Sequence, residues 1–379
     1  GAGTLIGQRA DPVFGASHAH KLLAASGIEF GGELLRAVER GVGMDGDSIA
    51  LLRQLTHNRS AYCHNRLWSL DKLPNPRANR VKTVVNAFVK IEHHNLAGIA
   101  SAATSVVIAH VAGGTKHIRV GAGGIMLPNH APYVIAEQFG TLERLFPGRI
   151  DLGLGRAPGT DQTTLRALRR APEAGDNFPN DVLELQAFLA PAEPGQRIQA
   201  IPAAGTNVPL WILGSSHFGA MLAAELGLPY AFASHFAPDA LMQAFQSYRQ
   251  LFRPSAQLDK PYTMAGLQVI VADTDAEATR LFTSIQMAFA NMVRGARGKM
   301  RPPIDDIETY WSAAEKAHAQ HMLTYAFVGS QETVRRGLQG FADLTGVDEL
   351  MVTTSIYDHG ARLRSYELLA EIGPQIQAA

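Results

Sequence analysis

From about residue 91 onward the sequence alternates short apolar runs of strand length with stretches of helical period, and no other feature limits the fold as strongly. IRVGAGGIM (118–126) is the first such run. It leads to YVIAEQFGTLERLF, where Ile135, Phe139, Leu142 and Phe146 recur at helical spacing and Pro147-Gly148 stops the helix. IDLGLGRA (150–157), VPLWILGSS (208–216), YAFASHF (230–236), TMAGLQVIVAD (263–273) and ELMVTTSIYD (349–358) repeat the pattern. Helical stretches separate them: FGAMLAAELG ending at Gly227, Pro238 to about Phe252, a long helix with a capping-box pattern from Thr274 to Glu277, and one starting near Ser330. Strands that are apolar on both faces and separated by helices belong in a parallel sheet covered on both sides. Either an open doubly wound sheet or a closed barrel would satisfy the pattern. Two earlier runs, NRLWSLDKL (65–73) and VVNAFVKIEHH (84–94), bring the count to eight and favour a TIM-type (β/α)8 barrel.

The rest of the chain sets limits on partners. Lys+Arg and Asp+Glu number 34 each among 379 residues, so the formal charge is zero, which argues against nucleic acid or an anionic membrane as partner. Cys63 is the only cysteine, which excludes an internal disulfide and a cysteine metal cluster and suits a reducing cytoplasm. No signal peptide is expected from GAGTLIGQRADPVF. LAGIASAATSVVIAHVAGGT (96–115) has membrane length, but its Ser, Thr, Gly and His content reads as a buried helix. Residues 1–66 carry helical fragments and no strand, and are expected to be an atypical extension; residues 67–379 are the barrel, with an insertion around 295–327.

In a parallel barrel, chemistry gathers at the C-terminal ends of the strands. Glu92-His93-His94-Asn95 ends one strand and suits proton transfer or polar contact with a cofactor. His93 and His94 cannot both face the site from a regular strand, so no metal site is expected there. Gly121-Ala122-Gly123-Gly124 offers bare backbone to a planar ligand, or simply a tight turn. Gly153-Leu154-Gly155-Arg156 brings an arginine that could fork onto a phosphate or make a surface ion pair. Gly214-Ser215-Ser216 opens a helix and could cradle a phosphate or serve as an ordinary serine cap. His18-Ala19-His20 has metal-ligand spacing but no strand context, and reads as a solvated helix face.

Taken together, EHHNLAGIASAATS, GAGGIMLPNHAP, AEQFGTLERLFPGRIDLGLGRAPGTDQ, WILGSS and LGLPYAFASHFAP resemble the bacterial luciferase-like flavin monooxygenases, and within them the YhbW-like group. The likeness covers roughly residues 91 to 372. It implies flavin mononucleotide (FMN) at the C-terminal face of a luciferase-like barrel, a homodimer, O2 as co-substrate and reduced flavin from a separate flavin reductase. It further implies that His93 is the active-site histidine and that Gly123-Gly124 holds a cis peptide beneath the flavin ring. By the same likeness Arg156 and Ser215 contact the phosphate, Gly214 and Ser216 flank the second contact, and Ser234 lies close to the ring. A deazaflavin oxidoreductase on the same fold, or a flavin-binding protein without turnover, remains open. One departure is plain: only 20 residues separate Asp71 from Glu92, barely room for a strand-helix unit, which unsettles Leu70 and Asp71 as pocket residues.

Overall fold

The computed structural model describes residues 66–69, 82–83, 87–157, 160–296 and 298–377. Most of the expected segment 1–66, with Cys63, His18 and His20, lies outside the described residues, as do Leu70 and Asp71.

The chain enters as three short strands, β1 (Arg66–Ser69), β2 (Lys82–Thr83) and β3 (Ala87–Lys90). Strands and helices then alternate: α1 (Thr104–Gly113), β4 (Arg119–Met126), α2 (Pro132–Leu145), β5 (Ile150–Gly155), α3 (Gln162–Ala167), α4 (Phe178–Leu189), β6 (Leu210–Gly214), α5 (His217–Leu226), β7 (Tyr230–Phe232), α6 (Leu241–Leu251) and β8 (Thr263–Val271). After α7 (Asp275–Val293) come α8 (Ala313–Met322), β9 (Ala326–Gly329), α9 (Gln331–Thr345), β10 (Glu349–Thr353) and α10 (His359–Ile372). None of the described helices is long and apolar enough to cross a membrane.

Strands β3 to β8 pair in chain order, each parallel to the next, and β8 pairs parallel to β10. β1 closes the ring, pairing with β10 on one side and β3 on the other. The barrel therefore has the eight staves that the apolar runs announced. One detail corrects the expectation of an all-parallel sheet: β1 is antiparallel to both neighbours. The physical reason is reach. A parallel neighbour needs a crossover of a dozen or more residues, usually with a helix, whereas an antiparallel neighbour needs only a return loop. The interval between Ser69 and Ala87 is short and part of it is spent on β2, which pairs with the start of β10 outside the ring.

Local signals act as the sequence indicates. Thr274 caps α7, its hydroxyl accepting from the Glu277 amide at 3.2 Å, but only this half of the expected capping box forms, because the Glu277 carboxylate pairs with Arg280. Gly227 ends α5 and Gly148 follows α2, both with positive φ, a backbone state that side chains resist. Residues 295–327 fold back onto α7: Trp311, Ala319 and Leu323 bury against Ile285, Phe289 and Ala290. Ser312 and Glu315 form a capping box at the start of α8.

The main core lies between the strands and the surrounding helices, where Val120, Leu152, Ile212, Phe232, Leu267 and Val352 are buried. A second apolar layer joins Ile91, Met126, Trp211, Ala231, Met264 and Met351 from around the ring, which only the barrel interior can do. It forms the floor beneath the strand ends.

Candidate active site at the barrel mouth

The residues singled out by the sequence follow successive strands of the ring. His93 comes after β3, Gly123 and Gly124 are in β4, Arg156 follows β5, Ser215 follows β6 and Ser234 follows β7. Because these neighbours are parallel, their C-terminal ends share one face, and the fold brings the set together there.

The segment leaving β3 stays in register with β4, since the Glu92 amide donates to the Gly124 carbonyl at 3.1 Å. Ile91 faces the barrel interior. Alternation along an extended chain then puts His93 on the interior side, and Glu92 and His94 on the other. His93 is partly buried. Glu92, almost wholly buried, is the hub of the outer side. Its Oε1 lies 2.6 Å from His94 Nε2 and 2.8 Å from His130 Nε2, while Oε2 accepts the Met126 amide at 2.8 Å. Burial pushes the Glu92 carboxyl up, but the His130 contact, the Met126 amide and His94 together hold it below its ordinary value.

Gly123-Gly124 is a cis peptide, and the β4–β5 register shifts between Gly123 and Ile125. β4 continues past the glycines to Met126, so they are a bulge inside the strand rather than a closing turn. Backbones approach closely here. A Cβ on Gly124 would meet the Gly153 carbonyl oxygen at 2.6 Å.

Across the face, the exposed Arg156 guanidinium sits 4.2 Å from the centroid of the Phe218 ring, in the first turn of α5. Ser216 is the N-cap of α5 but its hydroxyl makes no cap hydrogen bond, and its carbonyl accepts from Tyr230 Oη–H at 3.0 Å. The ordinary cap reading of Gly214-Ser215-Ser216 therefore does not describe the serine side chains, and the first helical amides have no side-chain cap. An arginine, a serine-rich turn and a helix N-terminus stand side by side, the composition of an anion site.

Ser234 is wholly buried and donates to the Gly266 carbonyl at 2.7 Å. Its neighbour His235 lies over Gly266, where a Cβ would come 2.5 Å from His235 Nδ1. Burial, opposed only by the Gly266 carbonyl, pushes His235 down to about 4, so it is neutral at physiological pH. Sequence reasoning missed three participants: His130, His235 and Phe218. His130 and His235 stand inside quoted motifs (PNHAP and ASHFAP), yet a lone histidine in a loop announces no partner.

With this geometry described, comparison with known proteins is direct. The model of the luciferase-like monooxygenase family matches residues 86–349. A luciferase-like monooxygenase of Escherichia coli K12 is 51% identical over 286 residues, covering 75% of this chain and 85% of the relative. Among solved structures, apo-MsnO8 is 34% identical, with a TM-score of 0.64 over 76% of this chain and 86% of its own. The oxygenating component of 3,6-diketocamphane monooxygenase from Pseudomonas putida, solved with FMN, shares 18% identity and a TM-score of 0.58 over 78% and 89% of the two chains; that likeness concerns the fold.

Proposed function

This chain belongs to the luciferase-like monooxygenase family, and from that premise we propose that it is an FMN-dependent monooxygenase acting on a small organic substrate. It would use O2 and reduced flavin delivered by a separate flavin reductase, and work as a cytoplasmic homodimer. The observation that carries the reading is the pairing of Arg156 with the start of α5, behind Gly214, Ser215 and Ser216.

The residues fit a flavin phosphate. Arg156 supplies fixed positive charge, the Ser215 and Ser216 hydroxyls supply donors, and the α5 N-terminus supplies amides and dipole. The glycine backbone at Gly123 and Gly124 offers a flat surface for a ring system. When bound, reduced flavin supplies the activation of O2 and the oxygen transfer. The chain's part is to hold the phosphate with Arg156 and Ser215, support the ring from β4, and exclude water above the floor of Ile91, Met264 and Met351. His93, on the interior side, would give or take the proton at an imidazole nitrogen facing the flavin and substrate. Ser234, bonded to the Gly266 carbonyl, would act near the ring by fixing the β7–β8 wall.

Flavin binding followed by fluorescence tests this. A charged hydrogen bond is worth about 1.5–3 kcal/mol, so Arg156→Ala should weaken FMN binding roughly tenfold or more. Riboflavin, which has no phosphate, should bind both proteins alike. Equal losses for the two ligands would reject the phosphate assignment, and tight binding of a deazaflavin in place of FMN would reject the cofactor.

A further inference from the structure

Three side chains with metal-ligating atoms meet on the outer side of the barrel mouth. Glu92 and His94 stand just after β3, and His130 follows the short turn after β4. His94 Nε2 and His130 Nε2 both point at Glu92 Oε1, at 2.6 and 2.8 Å, and the three ligand atoms lie within 4.8 Å of one another. Two imidazole nitrogens and one carboxylate oxygen converging on a point are the donor set of many zinc and iron(II) sites.

We propose that Glu92, His94 and His130 form a binding site for a divalent transition metal, zinc above all, with open positions left to water. The proposal goes beyond the flavin reading and does not rest on it. It also departs from the sequence expectation of no metal. That expectation considered His93 with His94, which face opposite ways, whereas the second imidazole comes from His130 on another loop.

Three observations support the site. First, the carboxylate is already oriented. Glu92 Oε2 is occupied by the Met126 amide, which leaves Oε1 as a single ligand atom and fixes its direction, as hydrogen bonds around metal ligands do. Second, Glu92 is almost wholly buried, and a buried carboxylate calls for a cation or several donors beside it. Third, the imidazoles are reachable: the side chains of His94 and His130 are 16% and 28% exposed, although Glu92 beneath them is only 1% exposed. Ligands 2.0–2.1 Å from a tetrahedral ion stand roughly 3.3 Å apart, so each nitrogen need retreat by less than about 1 Å. On binding, each imidazole takes the tautomer that carries its single proton on Nδ1, which frees the Nε2 lone pair for the ion.

The test uses the full-length protein, stripped with a chelator and free of flavin. Zinc is titrated in competition with a chromogenic chelator, and cobalt(II) reports the ligand field by visible absorption. We expect one equivalent bound, at least tenfold more weakly by His130→Ala and by Glu92→Gln, and unchanged by His117→Ala on the exposed approach to β4. If Glu92→Gln does not fold, His94→Asn takes its place beside His130→Ala. Binding no tighter in the wild-type protein than in His130→Ala, or equal loss in His117→Ala, would overturn the proposal. Because no flavin is present, failure here leaves the flavin assignment untouched, and failure of FMN binding leaves this site untouched.

Discussion

His235 shows how much a single residue can owe to its surroundings. In the unfolded chain its imidazole titrates at the ordinary 6.5, while in the fold it is pushed down to about 4. Between those values the unfolded state binds the extra proton. Stability is therefore full above pH 6.5, falls as pH drops toward 4, and levels off below it. The shift corresponds to roughly 3 kcal/mol at most. Urea unfolding at pH 7 and pH 4.5 should show this loss in the wild-type protein, and His235→Asn should remove most of the slope. An unchanged slope in the variant would place the acid sensitivity elsewhere. His93 is the residue where chemistry is expected. His93→Ala should leave FMN affinity nearly unchanged and lower turnover about 10²–10⁴-fold, the range for a positioned acid or base; full turnover in the variant would end that role. His94 differs in kind, because its Nε2 is committed to Glu92. Its replacement should loosen the β4 edge that Glu92 holds through the Met126 and Gly124 contacts.

At the scale of elements, β4 and β5 are the most constrained pair. Gly124 faces the Gly153 carbonyl so closely that one added methyl would sit 2.6 Å from the oxygen, and the three atoms nearest to it are all backbone. Gly124→Ala should therefore cost more than about 2 kcal/mol, within the range for overpacked sites, and weaken FMN binding together with stability. Gly340 is the contrasting case. It lies on the exposed face of α9 with nothing within 4 Å of an added Cβ. Gly340→Ala should stabilise the protein by about 0.5–1 kcal/mol, because alanine loses less backbone entropy in a helix. Thermal melts of the two variants should move in opposite directions, and a shared direction would contradict the packing argument for β4.

For the whole molecule, binding at the barrel mouth should couple to global stability. A ligand at 100 times its dissociation constant adds about 2.7 kcal/mol to the folded state, so FMN should raise the melting temperature, and Arg156→Ala should reduce the rise at fixed FMN. No rise in the wild-type protein at saturating FMN would count against a folded-state flavin site. At this scale too, the division between sequence and structure is clear. Periodicity alone told strands from helices, because apolar residues repeat differently along the two. That pattern delivered the eight-stave count, the ends of α2 and α5, and the cap of α7. Position at a strand end was enough to nominate the segments that hold His93, Arg156 and Ser215, since parallel strands share a face, while the family resemblance singled out those residues within them. Contacts between distant loops left no trace in spacing. Glu92 meets His130 across 38 residues, and Arg156 stacks on Phe218 across two intervening helices. The antiparallel direction of β1 was likewise hidden, because strand patterning is the same whichever way a strand runs. Only the closing of the ring, which gives each stave two neighbours within it and each linker a fixed distance to span, decided it.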